Sequence, residues 1–405
     1  MPGPLAGIRV IDFSAVISGP LAAMMLADQG ANVIKVEPPG RGDLLRYEWY
    51  RRGGLTSMFA NVNRGKRSIV LDLQQDKGLE IALDLVGRAD VLVENFRPGV
   101  MQRLGLGADA MLEHNPDLIY CSISGYGETG PYSTRRAYDP VLQGMSGHVA
   151  IQKNPEVPIP DLVRHALIDK AVSYTTAQAI TAALFARERG AGGQKISIPM
   201  LDVGLAFFFP DGMMKHTFLG DGILEGPALY DRYRLTETSD GHVITWTGGD
   251  NEWHALFRAV GRPELCDDPR YATARERVDN MEELGRILYD EFQQVTSAEI
   301  IERMGDEDVP GGPVLSLDEV FKNPQILHNG RVTEREHETA GRLRDCAPAA
   351  QFSGTTTEQQ PIAPLRGEHS DEILAELGYD ADGIAALRQA EVVDGSKLAP
   401  MRNRK

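Results

Sequence analysis

The sequence predicts an α/β protein carrying a second, smaller α+β domain. Between residues 7 and 123, short apolar runs alternate with stretches of helical periodicity, the pattern of a mostly parallel sheet covered on both faces. Near residue 225 this texture gives way to paired strands and then helices. The length of 405 residues also exceeds one typical domain. The expected division is a large domain over 1–224 plus 326–405 and a small one over 225–325.

In order, 7–13 (GIRVIDF) reads as a buried strand. Residues 19–30 read as a helix with Pro20 near its start and Gly30 past its end, and 32–37 (NVIKVE) as a second strand. Such βαβ units occur in nucleotide-binding folds, and Glu37 falls where an acid would meet a ribose. The intervening turn, Ser14 to Pro20, has no G-x-G-x-x-G, which argues against a nicotinamide dehydrogenase. Strands follow at 67–73, 90–94 and 118–123, with helices at 77–88 and 108–114. Residues 125–165, rich in Gly and Pro, read as loop.

The stretch 170–189 repeats Val172, Thr176, Ile180, Ala183 and Leu184 at helical spacing, and Arg187, Arg189 and Gly190 mark its end. Asp169 stands just before it, where an aspartate caps free N–H groups and the helix dipole would keep it ionised. A cap is the ordinary role there; a carboxylate in a pocket is also a nucleophile. A strand at 194–198 and a helix at 200–219 follow. In the small domain, 229–247 reads as strand pairs turning at Asp240-Gly241, with helices near 251–260, 281–294 and 297–304. Residues 330–378 return to strand and loop and then a helix at 370–377, and 395–405 read as a loose polar tail.

A net charge of −16 argues against non-specific nucleic-acid binding. Cys121, Cys266 and Cys346 are odd in number and far apart. They suit neither a disulfide framework nor a zinc site and point to a cytoplasmic location. No His/Cys/acid cluster has ligand spacing, so no metal is expected. No apolar run is long enough to span a membrane, and the start lacks a signal-peptide pattern. Residues 41–70 set Arg41, Arg46, Arg51, Arg52, Arg64, Lys66 and Arg67 against Asp43 and Glu48. That local excess of cations would suit either a solvated loop or a small phosphate-bearing ligand.

Several stretches together resemble the family III CoA-transferases, the CaiB/BaiF family, with formyl-CoA transferase, carnitine CoA-transferase and the related α-methylacyl-CoA racemases. They are PLAGIRVIDFS at 4–14, GPLAAMMLADQGANVIKVEPPGRGD at 19–43, NRGKRSIVLDL at 63–73 and VLVENFRPGVMQRLGLG at 91–107. ISGYGETGPY at 123–132, AYDPVLQGMSG at 137–147, GGQKISIPMLD at 192–202, PVLSLDEVFKNPQI at 313–326 and GEHSDEILAELGY at 367–379 continue the match.

The resemblance implies a large Rossmann-like domain with a smaller inserted domain, and an interlocked homodimer. It implies that Asp169 attacks an acyl-CoA thioester and carries a mixed anhydride and then an aspartyl-CoA thioester. Tyr138 and Asp139 would border the acyl site, and Gly248 and Gly249 would form the mobile glycine loop that closes over the nucleophile. CoA, the substrate rather than a resident cofactor, would contact Val16, Ile17, Asn95, Phe96, Arg97, Arg103 and Arg136. The racemases carry His where this chain has Tyr138, and a phenol with a reference pKa of about 10 is a poor proton shuttle near neutrality. Neither His148 nor His165 aligns with the racemase base. Pro38 replaces an Arg of many members, and Gln74 replaces a Lys of some. The adenosine end would then fall to Arg41, Arg46 or Lys66. Phe207 to Phe209, Trp246 and Met200 are candidates to line an acyl pocket. An acyl-CoA racemase and a non-catalytic CoA-ester-binding subunit of a hetero-oligomer are the alternatives.

Overall fold

Strands covered on both faces must be apolar on both, and five of the six runs that build the main sheet are almost wholly buried, the edge run Gln194–Pro199 being largely exposed. The computed structural model describes residues 3–47, 49–152, 160–355 and 360–394; the expected tail at 395–405 lies outside them. The strands are β1 (Arg9–Asp12), β2 (Asn32–Glu37), β3 (Lys66–Val70), β4 (Val91–Glu94), β5 (Ile119–Ser124) and β6 (Gln194–Pro199). Their order is β3-β2-β1-β4-β5-β6, every pair parallel. Doubly wound dinucleotide-binding sheets share this order, with the reversal between β1 and β4.

Successive side chains leave the sheet on opposite faces. Ile11, Ile34, Ile69, Leu92 and Tyr120 enter one apolar layer, and Val10, Val33, Val91 and Ile119 enter the other. The first layer is covered by helix Asp76–Gly87 and by helices Ser370–Glu376 and Ala381–Gln389 of the returning chain, the last two through Ile373, Leu374 and Leu387. Each such fully buried aliphatic side chain contributes about 1.5–3 kcal/mol.

The helices of this unit are α1 (Ser18–Asp28), α2 (Ser57–Asn63), α3 (Asp76–Gly87), α4 (Val100–Arg103), α5 (Ala108–His114), α6 (Asp139–Met145), α7 (His148–Ile151), α8 (Leu167–Ala186) and α9 (Met200–Gly212). In place of a glycine-rich fingerprint there is Gly19. A Cβ on it would lie 2.3 Å from the Ser14 side chain, so only glycine lets α1 start this close to the end of β1.

The chain divides into two compact units, Met1–Thr217 with Gly330–Lys405, and Phe218–Asn329. The second unit has a three-stranded antiparallel sheet, in which His242–Thr245 pairs with Thr236–Glu237 and with Gly311–Pro313. Helices Asp250–Ala259, Met281–Phe292 and Ser297–Asp306 pack Leu256, Phe292, Ile300 and Met304 against Val243.

Four expectations change. Residues Leu229–Arg232 form a turn of 3-10 helix, so the expected strand pair shrinks to the few residues that find backbone partners. Gly311–Pro313 carries no strand signal and is a strand only by pairing. The loop-like 125–165 contains α6 and α7. The expected helix 200–219 stops at Gly212, where the Phe208 ring fills the space a side chain would need. No helix among the described residues is long and apolar enough to cross a membrane.

Candidate active site

In parallel sheets of this order, ligands sit beyond the carboxyl ends of the strands at the reversal. Here that edge is built by the turn after β1 and the turn after β4. The Asn95 side chain bridges them, accepting from Ala15 N at 2.9 Å and donating to Ala15 O at 2.7 Å. Val16 is held at φ 70°. For a β-branched residue this is an outlier costing about 1–3 kcal/mol, and it persists only where neighbours over-determine it.

Beneath the turn lies a buried ionic cluster. Lys66 Nζ donates to Asp12 Oδ2 at 2.7 Å, to Pro20 O at 2.8 Å and to Asn63 Oδ1 at 2.9 Å. Lys35 Nζ lies 2.9 Å from Asp43 Oδ2. Arg46 grips Glu37 through two hydrogen bonds of 2.6 and 2.7 Å and lies on the Phe59 ring. Burial pushes the Glu37 carboxyl up, but the Arg46 bonds and charge outweigh it and hold the group at about 2. Burial pulls the Lys66 ammonium down to about 8, against the attraction of Asp12.

Much of the cationic excess of 41–70 is therefore internal. Arg46 and Lys66 are closed to a phosphate, and Glu37 is closed to a ribose, because each already completes a buried pair. Arg41 stays exposed beside the Tyr47 ring. Pro38 and Gln74 are exposed as well.

Next to this turn, a cleft of about 240 Å³ opens over the ends of β4 and β5, lined by Glu94, Phe96, Arg97, Ser122, Ser124 and Glu128 among others. Burial raises the Glu94 carboxyl to about 6. Arg97, Arg103 and Arg136 are exposed, whereas Val16, Ile17, Asn95 and Phe96 are half-buried.

Asp169 lies inside the first turn of α8, so it is not the cap; Ala166 holds that position without a side-chain bond. The capping acceptor comes from α6. Asp139 Oδ2 accepts Asp169 N at 3.0 Å, and Asp139 Oδ1 accepts Gln143 Nε2 at 2.5 Å. Gln143 in turn fastens the approach to α8, accepting from Val163 N at 3.0 Å and donating to Val163 O at 3.2 Å. On the other side stands α1. Ser173 Oγ shares its proton between Ser18 O at 2.8 Å and Asp169 O at 2.7 Å, and the Ser18 hydroxyl is the neighbour that favours the ionised Asp169 carboxylate.

The expected ionising effect of the dipole is reversed. Burial pushes the Asp169 carboxyl up, the Asp139 charge adds to that, and the Ser18 bond only partly offsets them, leaving it at about 7. The dipole's pull is modest and falls off within one turn. Tyr138, at the start of α6, is 59% exposed and open to a ligand.

Other candidates fall elsewhere. His148 is buried, with Nε2 3.2 Å from Gly204 O and its ring 4.8 Å from that of Phe208; it is a satisfied core histidine. His165 is exposed. Of the aromatic run only Phe208 is buried, and Met200 belongs to the core. Trp246, in the smaller unit, packs under Arg232. Gly248 and Gly249 link strand His242–Thr245 to helix Asp250–Ala259 in that unit, and both their N–H groups donate to Glu252 Oε2.

Ser18 and Gln143 had no role assigned from the sequence, where Asp43 counted only as a charge against the cations of 41–70. Only Ser18 left a signal there, as the polar residue that opens α1 beside Gly19.

The family described as CoA-transferase family III matches residues 5–370. The chain belongs to CoA-transferase family III. An acyl-CoA transferase of Fusarium pseudograminearum is 35% identical, the alignment covering 96% of this chain and 88% of that one. The succinyl-CoA:glutarate CoA-transferase of Homo sapiens is 34% identical, covering 96% of this chain and 90% of the relative. A CAIB/BAIF family protein from Brucella suis superposes with a TM-score of 0.80 at 30% identity, over 93% of this chain and 100% of its own. This family III protein is accordingly an enzyme, a CoA-transferase acting on acyl-CoA and acid substrates.

Proposed function

We propose that this transferase passes CoA from succinyl-CoA to a second dicarboxylic acid of glutarate type, through covalent intermediates on Asp169. The supporting observation is the Asp169 carboxylate, set in the first turn of α8 against Asp139, the residue that follows the exposed Tyr138. The substrates are those in the name of the relative from Homo sapiens.

An Asp169 oxygen attacks the thioester carbonyl, the C–S bond breaks, and CoA thiolate leaves behind a mixed anhydride. The thiolate attacks the aspartyl carbonyl, releasing the donor acid and forming an aspartyl-CoA thioester. An acceptor carboxylate oxygen then attacks that thioester and expels the thiolate. The thiolate finally takes the acceptor acyl group, and the Asp169 carboxylate is restored. No proton is consumed, and one hard exchange becomes several easier displacements. Ser18 orients the nucleophile, and backbone N–H groups near it supply oxyanion stabilisation.

Arg97, Arg103 and Arg136 are suited to bidentate contact with CoA phosphates. The same proposal has the enzyme working as a cytoplasmic interlocked homodimer, with CoA passing through as substrate. Incubation with succinyl-CoA and hydroxylamine should leave Asp169 as a hydroxamate by peptide mass spectrometry. Turnover of succinyl-CoA and glutarate without that adduct, and unimpaired in Asp169→Ala, would refute the proposal.

A carboxyl near 7 also suits proton transfer, which keeps the α-carbon exchange reading alive. Deuterium incorporation at the α-carbon of an acyl-CoA, without CoA transfer, would favour it.

A further inference from the structure

We infer that Asp43, the last residue of the PPGRGD stretch at 38–43, is a positioning residue for the turn that carries Ser18 to the nucleophile, an inference that rests on Asp169 being the reacting group. The turn 14–16 is held from separate segments at each residue. Ser14 O accepts from Lys35 Nζ at 2.8 Å, Ala15 is clamped by Asn95, and Val16 N donates to Asp43 Oδ1 at 3.3 Å.

Asp43 is the joint between these restraints. Its Oδ1 also takes Leu45 N at 2.9 Å, and its Oδ2 meets Lys35 Nζ at 2.9 Å, so it holds Val16 directly and Ser14 through Lys35. Asp43 is 2% exposed, which keeps water from competing for these contacts.

What Asp43 holds is a conformation valine avoids. A branched side chain at φ 70° crowds its own backbone, and removal of the restraint lets Val16 return to negative φ. The chain would then leave the turn in another direction. The residues that follow are Ile17 and Ser18, and Ser18 opens α1 with its carbonyl tied through Ser173 Oγ to the backbone of Asp169, at 2.8 and 2.7 Å. Asp43 thus acts on the nucleophile through two intermediaries and touches no substrate.

Two readouts test this, one of them independent of the reaction. The rate of Asp169 hydroxamate formation from succinyl-CoA is measured in the full-length wild type, Asp43→Ala, Val16→Gly and the double variant. Asp43→Ala should slow trapping at least tenfold. Adding Val16→Gly should recover at least threefold of that, because glycine adopts the left-handed turn without strain. A general loss of packing at Asp43 predicts no rescue by glycine at position 16.

Crystal structures of the same variants should show Val16 at negative φ and the Ser18 side chain off Asp169 in Asp43→Ala, with both restored in the double variant. If Asp43→Ala does not fold, Asp43→Asn keeps the acceptor for Val16 and loses the Lys35 pair; a smaller fall, again relieved by Val16→Gly, is expected. Unchanged trapping, absence of rescue, or Val16 still at positive φ in Asp43→Ala would overturn the inference. Absence of any adduct in the wild type would strike the proposed reaction, while the variant structures would still decide the role of Asp43.

Discussion

Asp139 Oδ2 accepts the backbone N–H of Asp169 at 3.0 Å, from a residue thirty positions away in the chain. One carboxylate caps the helix on which the other is mounted. The same contact brings two acids together in a partly buried place, where the Asp139 charge disfavours ionisation of Asp169. Helix geometry and nucleophile chemistry are therefore coupled through one side chain.

The first expectation concerns the pH dependence of the reaction. Asp169 attacks as a carboxylate, and its carboxyl stands at about 7. Hydroxamate trapping should rise with pH through about 7 and level off above 8 in the wild type. A flat profile between pH 5 and 9 would show that burial and Asp139 do not act as described.

Asp139→Asn should move that midpoint downward by about half to one unit, since the amide keeps an acceptor for Asp169 N but carries no charge. Asp139→Ala additionally removes the cap, and chemical denaturation should register a loss of about 1 kcal/mol. A midpoint that rises in Asp139→Asn would exclude the charge as its cause.

Ser18→Ala removes the contact that holds the Asp169 carboxyl down. The midpoint should rise, so activity at pH 7 falls severalfold and is largely recovered at pH 8.5. Loss that is equal at both pH values would instead mean that Ser18 contributes to binding.

The raised carboxyl also has a thermodynamic signature. A folded value above the unfolded one stabilises the protonated fold below about pH 4, and that contribution is lost as pH rises through about 7. Asp169→Asn should therefore be more stable than wild type at pH 8, by about 2–4 kcal/mol, and nearly equal to it at pH 4. Urea midpoints at the two pH values measure this directly.

Beneath the turn, Lys66 and Asp12 form a buried pair 2.7 Å apart. Lys66→Met would leave the carboxylate with Lys35 at 3.9 Å as its remaining ion pair, and destabilisation of about 3–5 kcal/mol is expected by equilibrium unfolding. A loss below 1 kcal/mol would mean that water replaces the ammonium.

Much of the large unit was legible in the chain. The runs 32–37, 90–94 and 118–123 sit within a residue or two of β2, β4 and β5, because strands buried on both faces need uninterrupted apolar residues wherever they pair. The helix at 170–189 was equally plain from its periodicity. The start of α8 was not. Its cap is supplied by Asp139 from another helix, and α6 itself lies in a stretch whose Gly and Pro residues read as loop. Short helices depend on contacts rather than on propensity, so local pattern does not show them.

The sequence alone determined that a carboxylate stands at the head of a long helix within a family III framework, because motif and periodicity are local properties of the chain. Tertiary structure decided its chemical state. Burial and Asp139 oppose the helix dipole at Asp169, and the same folding closes Arg46 and Lys66 into buried pairs. A charge's meaning depends on its neighbours in space and on the water removed from around it, and neither is written in residue order.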